Sequence, residues 1–253
     1  MTVNTTIDAF LGGALEIEQP RNGFRSGIDA VLLAAAVTAS PSQTVLELGC
    51  GVGAAGLCLT HRVSNIDYTG IELQTDYAEM AAQNFLRNTT KGRIICADLR
   101  DLPADLKARS FDHVFANPPY YHATDGTQAR DPGRAEALSG QTPLLDWAQT
   151  AFRRLRPKGH ATFIQRADRL PDLLGAVQQA RFGSIELWPL IPRTGRSAQL
   201  ILLRARKDGR AAFILHAPLI LHKTLTHEAD RPDYTDQIEN ALRHGAGLEW
   251  PKK

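Results

Sequence analysis

The sequence predicts an α/β fold with a mostly parallel, seven-stranded sheet covered by helices on both faces. From Thr44 onward, short apolar segments typical of strands alternate with segments whose apolar residues recur at helical spacing. A glycine-rich turn follows the first of these strands. The last two predicted strands are joined by Pro192–Arg196 alone, which is too short for a helical crossover, so this final pair should be antiparallel.

The predicted elements follow in order along the chain. Leu15 and Ile17 alternate with acidic residues between two glycine-marked turns, which predicts a short hairpin, and Asp29–Val37 predicts a buried helix. The seven strands are predicted at Thr44–Leu48, Asp67–Ile71, Arg93–Ala97, Phe111–Ala116, Ala161–Gln165, Ser184–Leu190 and Ala198–Arg206. The remaining predicted elements are helices over Ala54–Leu59, Asp76–Arg87, Pro143–Leu155 and Arg169–Ala180, a short strand at Ala212–His216 and a helix near Asp236–Arg243.

This order of elements predicts one main domain with a small addition. Residues 1–43 should form an N-terminal extension made of the hairpin and one helix. Residues 44–253 should form the α/β domain, including the C-terminal strand and helix. A length of 253 residues fits one such core with short additions at both ends, so we expect the core itself to bind the substrate.

The composition excludes several other classes of protein. The chain is 43% hydrophobic and 22% charged, which is ordinary for a globular protein and argues against disorder or a fibrous protein. The longest apolar run, Ala30–Val37, falls far short of the ~20 residues of a membrane helix, and the N-terminus does not resemble a signal peptide. Three cysteines without a CxxC pair favour a reduced, cytoplasmic protein, and the eight histidines show no metal-ligand spacing.

The formal net charge of +2 hides a division of charge along the chain. Residues 1–149 carry 11 Lys and Arg against 17 Asp and Glu, whereas residues 150–210 carry 13 against 4. A basic segment beside an acidic half indicates a surface for a polyanion. The alternative is that these charges lie on solvated faces of helices and strands.

The turn after the first main-sheet strand is the first candidate binding element. Gly49, Gly51 and Gly53 alternate with Cys50 and Val52 where that strand ends and a helix begins. Glycine lets the backbone turn tightly and lets a ligand approach it, and the first N–H groups of the helix are free to face such a ligand. A tight turn without a ligand would also explain the glycines, and their spacing is not GxGxxG.

Two carboxylates favour a nucleoside-containing ligand over a purely structural turn. Glu72 ends the second strand, where it could accept both ribose hydroxyls, and Asp98 follows the third, where it could accept an adenine amine. Glu47, inside the first strand, suits a cofactor with a cationic amino-acid end, which favours S-adenosylmethionine over NAD. The predicted cofactor contacts are Glu47, Gly49, Cys50, Gly51, Gly53, Glu72, Leu73, Asp98, Leu99 and Asn117.

The segment Asn117-Pro118-Pro119-Tyr120, directly after the fourth strand, is the candidate catalytic motif. The two prolines fix an extended backbone and leave carbonyl oxygens free. The Asn117 side-chain oxygen and the Pro118 carbonyl could accept the two hydrogens of a planar amine, and Tyr120 could stack on it. Held in this way, an exocyclic amine needs mainly alignment with a methyl sulfonium and no side-chain general base. A rigid exit from a strand is the alternative explanation.

With these motifs, the chain resembles the class I S-adenosylmethionine-dependent methyltransferases that carry Asn-Pro-Pro-Tyr, over roughly Thr44–Arg206. It is further similar to the bacterial tRNA1(Val) (adenine-N6)-methyltransferases. The segments that carry this narrower resemblance are Phe10–Gly13, Gln19-Pro20, Gly23–Leu33, Gly51–Ala55, Pro192–Gly195 and Pro218–His222. The resemblance implies a Rossmann-like fold and N6-methylation of the adenine just 3′ of the anticodon.

The resemblance also implies a tRNA partner and a basic surface that holds its phosphates. The arginines expected to contribute are Arg130, Arg134, Arg153, Arg154, Arg193 and Arg196. The strand order of the family places the loop that carries Arg193 and Arg196 away from the cofactor. Related enzymes cover the cofactor with the segment that corresponds to Arg25–Asp29, although Asp29 could instead cap the following helix.

Two other activities share the Asn-Pro-Pro-Tyr motif and stay open. One is methylation of a glutamine in release factors, whose enzymes usually carry a separate helical N-terminal domain that about forty residues do not provide. The other is methylation of guanine N2 in rRNA. A non-catalytic RNA-binding module with the same fold is a further alternative, and the intact catalytic motif and glycine turn argue against it.

Overall fold

One mixed β-sheet with helices on both faces organises the chain. The structure, a computed structural model, describes residues 4–120, 142–224 and 233–252. Its strands are β1 (Thr5–Phe10), β2 (Leu15–Pro20), β3 (Thr44–Leu48), β4 (Asp67–Glu72), β5 (Arg93–Cys96), β6 (Phe111–Ala116), β7 (Leu155–Arg166), β8 (Gly183–Ile191), β9 (Leu200–Arg206), β10 (Ile214–Leu215) and β11 (Leu219–Ile220). Its helices are α1 (Ile28–Ala36), α2 (Ala54–Arg62), α3 (Thr75–Arg87), α4 (Ala104–Lys107), α5 (Leu144–Arg154), α6 (Leu170–Gln179) and α7 (Asp236–His244).

The main sheet has the strand order β10-β8-β9-β7-β6-β3-β4-β5, and β11 also pairs with β8. Strands β3 to β7 run parallel, and β9 lies antiparallel between β7 and β8. The predicted antiparallel final pair is therefore confirmed. β10 and β11 extend the sheet beyond the seven main strands. β10 lies within the short strand predicted at Ala212–His216, and β11, which is also only two residues long, was not predicted.

The direction of β8 decides where the loops lie. Because β9 is antiparallel to both of its neighbours, β8 runs in the same direction as β7. The last residues of β3 to β8 therefore lie together at one end of the sheet, which we call the carboxyl end, and their first residues lie at the amino end. In open α/β sheets, ligands bind outside the carboxyl end.

The N-terminal hairpin, β1 and β2, docks on helix α3 through two asparagines. The Asn84 side chain accepts a bond from the Glu18 N–H at 2.8 Å and donates to the Glu18 carbonyl at 2.9 Å. It also donates to the Val52 carbonyl at 3.0 Å, which ties the hairpin to the glycine turn. Asn88 bonds the Glu16 backbone in the same two-way manner. The hairpin is thereby held next to the loops of the carboxyl end.

Helix α1 links this hairpin to β3 and is buried along most of its length, as the sequence predicts. The C-terminal segment packs on it, because the Trp250 indole donates to the Ala36 carbonyl at 2.9 Å and the Leu248 N–H to the Ala35 carbonyl at 2.7 Å. Two element predictions differ from the structure. β7 begins at Leu155, six residues early, across a Pro and Gly that mask its strand pattern, and the one-turn helix α4 was not predicted.

Candidate active site

The glycine turn connects β3 to α2 in a backbone conformation that requires glycine. Gly49, Gly51 and Gly53 all have a positive φ, of 63°, 55° and 82°. A Cβ atom at Gly49 would lie 2.5 Å from the ring of Trp147, so the indole packs directly against the turn. The Cys50 N–H donates to the Ile71 carbonyl at 2.8 Å, which joins the turn to β4. Glycine is therefore needed here for both dihedral angles and space.

Glu72, at the end of β4, closes the turn from the neighbouring strand. Its carboxylate accepts the Gly51 N–H at 2.8 Å and the Gln74 N–H at 2.9 Å. Burial raises the pKa of Glu72, and these backbone bonds act in the opposite direction. Each carboxylate oxygen accepts one backbone bond and keeps further acceptor capacity, as binding of ribose hydroxyls would require. The adjacent Leu73 is 53% exposed and offers an apolar surface beside it.

Asp98 and Leu99 follow β5, the next strand of the sheet. Asp98 accepts three N–H groups of Arg100 at 2.6 to 3.1 Å, and these bonds lower its pKa. The Ala97 N–H donates to the Glu72 carbonyl at 2.8 Å, so the two acidic positions are neighbours at the carboxyl end. Leu99, in contrast, is buried in the core.

Glu47 does not face the carboxyl end. Its carboxyl group is buried behind the turn, where it accepts the Tyr68 hydroxyl at 2.5 Å. Burial raises the pKa of Glu47 to about 8, so the group is mostly protonated at neutral pH. This geometry contradicts the expectation that Glu47 offers a carboxylate to the cationic end of a cofactor. A neutral carboxyl inside the core supports the turn instead.

The Asn-Pro-Pro-Tyr segment meets the N-terminal extension at Asp29, in the first turn of α1. The Asn117 Nδ2 donates to Asp29 Oδ2 at 2.9 Å, and the Tyr120 hydroxyl donates to the same oxygen at 2.6 Å. Burial and the Asp29 charge raise the pKa of Tyr120 above its usual range. The Asn117 Oδ1 is buried, and within the described ranges no donor reaches it.

Gln165, at the end of β7, fixes the two prolines from the other side. Its Nε2 lies 3.2 Å from the Pro118 carbonyl and 3.4 Å from the Pro119 carbonyl, and its Oε1 accepts the Arg166 N–H at 2.8 Å. Gln165 is fully buried, so these bonds form in a low-dielectric setting. The Pro118 carbonyl, expected to accept a substrate hydrogen, therefore already accepts one bond and keeps one lone pair.

The segment before α1 reaches the glycine turn. Phe24, which is 51% exposed, lies with its ring 3.9 Å from the position of a Cβ at Gly51. The Tyr77 hydroxyl holds its backbone, accepting the Phe24 N–H at 3.0 Å and donating to its carbonyl at 3.2 Å. The exposed Phe24 ring is thereby held beside Gly51 of the glycine turn.

The basic residues divide between the two ends of the sheet. Arg153 and Arg154 end α5 at the amino end, and β7 from His160 to Arg166 alone spans about 20 Å by the usual strand rise. Arg154 donates to the carbonyls of Leu106 and Lys107. These positions do not fit the expectation that Arg153 and Arg154 hold tRNA phosphates beside the catalytic motif.

The loop between β8 and β9, in contrast, lies at the carboxyl end. Three strands, β9, β7 and β6, separate β8 from β3, so the loop shares this end with the glycine turn but lies to one side of it, and its expected place away from the cofactor stays a prediction. Arg193 is only 11% exposed and pairs with Asp233 at 2.6 Å, so its charge is neutralised within the fold. Arg196 is exposed in the same loop. Arg130 and Arg134 lie outside the described residues.

Two supporting residues of this site, Gln165 and Trp147, are not among the functional residues predicted from the sequence. Gln165 was assigned only to a strand, and Trp147 only to a helix. A buried amide at the carboxyl end of the strand beside the catalytic motif was the available signal for Gln165. Nothing in the sequence connects Trp147 to Gly49, because their contact depends on how α5 packs across the sheet.

Comparison with known proteins supports the same group of enzymes. The family model "Methyltransferase small domain" matches residues 26–131. The tRNA1(Val) (adenine(37)-N6)-methyltransferase of Shewanella baltica is 29% identical over 201 residues, which cover 77% of this chain and 82% of that protein. This chain is an S-adenosylmethionine-dependent methyltransferase with the fold of the class I enzymes.

Solved structures agree with this assignment of the methyltransferase. A predicted O-methyltransferase, Atu636 of Agrobacterium tumefaciens, is 26% identical with a TM-score of 0.70, and the match covers 87% of this chain and 98% of that one. A 16S rRNA N2 G1207 methyltransferase of T. thermophilus, in complex with AdoMet and guanosine, shares the fold at 19% identity and a TM-score of 0.55, over 82% of this chain and 51% of that one. The predicted Rossmann-like fold class is confirmed.

Residues 4–120, 142–224 and 233–252 lack two features typical of other classes of protein. In these ranges, no helix combines the length and the apolar character needed to cross a bilayer. The same residues contain no group of three or more His, Cys, Asp or Glu side chains that could hold a metal ion.

Proposed function

We propose that this methyltransferase transfers a methyl group to the exocyclic N6 amine of an adenine in tRNA, namely the adenine 3′ of the anticodon of tRNA1(Val). The single observation that carries the chemical part is the buried Asn117 Oδ1, an acceptor that no described donor reaches. A buried acceptor without a donor is costly, so its retention calls for a ligand that donates.

The orientation of the Asn117 amide favours a substrate amine, which donates hydrogen bonds, over a deprotonated or carbonyl oxygen, which only accepts them. A carboxylate only accepts hydrogen bonds, so the amide nitrogen must face Asp29 and the amide oxygen must face away. That oxygen would accept one N–H of the substrate, and the second lone pair of the Pro118 carbonyl would accept the other. Tyr120 would stack on the ring. These interactions align an amine and draw its nitrogen toward tetrahedral geometry.

Residues of the carboxyl end fit S-adenosylmethionine, which supplies an electrophilic methyl group when bound. The glycine turn has no Cβ to exclude a ligand, and Glu72 beside it has acceptor capacity for ribose hydroxyls. We propose that Leu73 packs on the adenine and that Asp98 accepts its amine. The backbone of Cys50 and Leu99 would line the same pocket. Glu47 is left out of this set because it faces the core.

The choice of tRNA rests on the named relatives and on the place of one loop. The Shewanella baltica protein carries that activity in its name and matches most of this chain. Arg196 is exposed at the carboxyl end, where a phosphate beside an extruded loop adenine would lie. An adenine in an anticodon loop also costs less to extrude than a paired base. A tRNA substrate fits a cytoplasmic enzyme with residues 1–43 as an extension of one methyltransferase domain.

Labelled S-adenosylmethionine tests this proposal against glutamine methylation. The full chain is incubated with total cellular tRNA or, in a parallel reaction, with a release-factor preparation. We expect label in the RNA fraction, reduced to background by Asn117→Ala. Label confined to the protein fraction would overturn the tRNA proposal.

A further inference from the structure

We infer that Asp29 is a positioning residue of the catalytic motif, which sets the orientation of the Asn117 amide and the Tyr120 ring together. This inference rests on the proposed function and deepens it. The N-terminal extension would then complete the active site, rather than only cover the cofactor as the sequence resemblance implies.

The first argument is that one oxygen serves both motif residues. Asp29 Oδ2 accepts the Asn117 Nδ2 at 2.9 Å and the Tyr120 hydroxyl at 2.6 Å. Two residues three positions apart in a loop are thereby fixed against one atom. Bonds to an ionised carboxylate are shorter and about twice as strong as neutral ones. Asp29 therefore restrains both side chains of the motif that would touch the substrate.

The second argument concerns the two faces of the Asn117 amide. Without a neighbour that only accepts, the amide could rotate by 180° and present its NH2 group to the substrate amine, donor against donor. Asp29 prevents this, and Asn117 Oδ1 is left as the buried acceptor without a described donor. The charge of Asp29 thus selects the only amide orientation that can receive an N–H.

The place of Asp29 in the fold supports a positioning role rather than a cap. The N-cap residue of α1 is Gly27, and it forms no side-chain cap bond. Asp29 lies in the first helical turn, where the helix dipole stabilises a negative charge. The hairpin holds the segment just before this turn, because Gln19 Oε1 accepts the Ser26 N–H at 2.7 Å, and Asn84 ties the hairpin itself to the glycine turn.

Asp29→Ala and Asp29→Asn test the role in steady-state kinetics. We expect kcat for Asp29→Ala to fall roughly 100-fold, while the KM for tRNA and the cofactor Kd by calorimetry stay within about threefold. The kcat of Asp29→Asn should lie between those of the wild type and Asp29→Ala, because a neutral amide oxygen can still accept both bonds. The matched control is Asp236→Ala, which removes an exposed first-turn Asp of α7 and should leave kcat unchanged. A cofactor Kd raised in step with the loss of kcat would overturn the inference.

A second readout needs no substrate. In protein with ¹⁵N-labelled asparagine, the side-chain amide of Asn117 is assigned by its absence in Asn117→Ala. We expect one amide proton shifted downfield and slow to exchange, with both properties lost in Asp29→Ala and kept in Asp236→Ala. An unchanged signal in Asp29→Ala would overturn the positioning role alone. An Asp29-dependent signal in an enzyme that does not methylate tRNA would support it and overturn the proposed function.

Discussion

The two ends of the central sheet use polar groups in different ways. At the amino end, arginines and lysines are numerous, but several are engaged in bonds within the fold. Arg154 donates to two backbone carbonyls, Arg156 pairs with Asp112 at 2.8 Å, and Lys207 donates to the Leu155 carbonyl. At the carboxyl end, Asn117 keeps a buried acceptor that no described donor reaches.

The difference teaches that the bonds a polar side chain already makes within the fold, and not its charge alone, decide whether it is available to a ligand. A count of basic residues along the chain points to residues 150–210 as a whole. The bonds that these basic residues make in the structure separate side chains that hold the fold together from those that remain exposed at the carboxyl end. The following changes test this comparison, from the largest expected effect to the smallest.

Asn117→Ala should have the largest effect, because it removes the buried acceptor proposed to bind the substrate amine. We expect kcat to fall about 10²–10³-fold, the usual cost of removing one preorganised hydrogen-bonding group from a transition state. Cofactor affinity, measured by calorimetry, should stay within a few-fold. Loss of cofactor binding instead would show that Asn117 has been assigned the wrong role.

Gly49→Ala should disrupt the turn at the carboxyl end. Its φ of 63° and the Trp147 ring 2.5 Å from the new Cβ should together cost about 2–4 kcal/mol in the free energy of unfolding. The control is Gly175→Ala in α6, where a Cβ meets nothing within 4 Å, and which should be neutral or stabilise by about 0.5–1 kcal/mol. Urea unfolding of both variants checks this, and equal stabilities would refute the claim that the turn requires glycine.

Glu47→Gln should change how stability depends on pH. The folded-state pKa of Glu47 lies at about 8, above its ordinary value of 4.5, so the folded protein binds the proton more tightly. The contribution is fully present below pH 4.5 and is lost as pH rises through about 8. Over that window the wild type should lose on the order of a few kcal/mol relative to Glu47→Gln. Parallel pH curves from urea unfolding would instead indicate an ionised Glu47.

Charge reversal at the two ends should give the smallest effects and the most direct contrast between them. Arg196→Glu should weaken tRNA binding several-fold and lower the salt slope by about 1, as expected for the loss of one phosphate contact. Arg153→Glu is the matched change at the amino end and should leave both quantities unchanged. The measurement is a tRNA binding titration at several salt concentrations, and a larger effect at Arg153 would reverse the comparison.

The fold was predictable because its strands have strong local patterns. Thr44–Leu48 and Phe111–Ala116 match the predicted bounds, and the short Pro192–Arg196 connection correctly predicts the antiparallel pair. Strand β11 and the start of β7 were not predictable, since pairing with neighbours rather than local pattern creates them. The strand predicted at Ala212–His216 forms only over the two residues of β10.

The motifs of the site were readable from sequence, but their partners were not. Glu47 was expected at the ligand because it precedes the glycines, yet a strand residue can face either side of the sheet. Its side chain turns to Tyr68, and only the packing of β4 reveals this. Asp29 and Asn117 are 88 positions apart in sequence, so their bond follows from tertiary structure alone.

Nucleoside analysis of the methylated RNA tests the central claim most directly. Total tRNA is incubated with the wild-type chain and methyl-labelled S-adenosylmethionine, digested to nucleosides and separated, with Asn117→Ala in parallel. We predict label in N6-methyladenosine, absent with the variant. Label in N2-methylguanosine or in a 2′-O-methylated nucleoside would contradict the claim that Asn117 at the carboxyl end of the sheet holds an adenine amine for methylation.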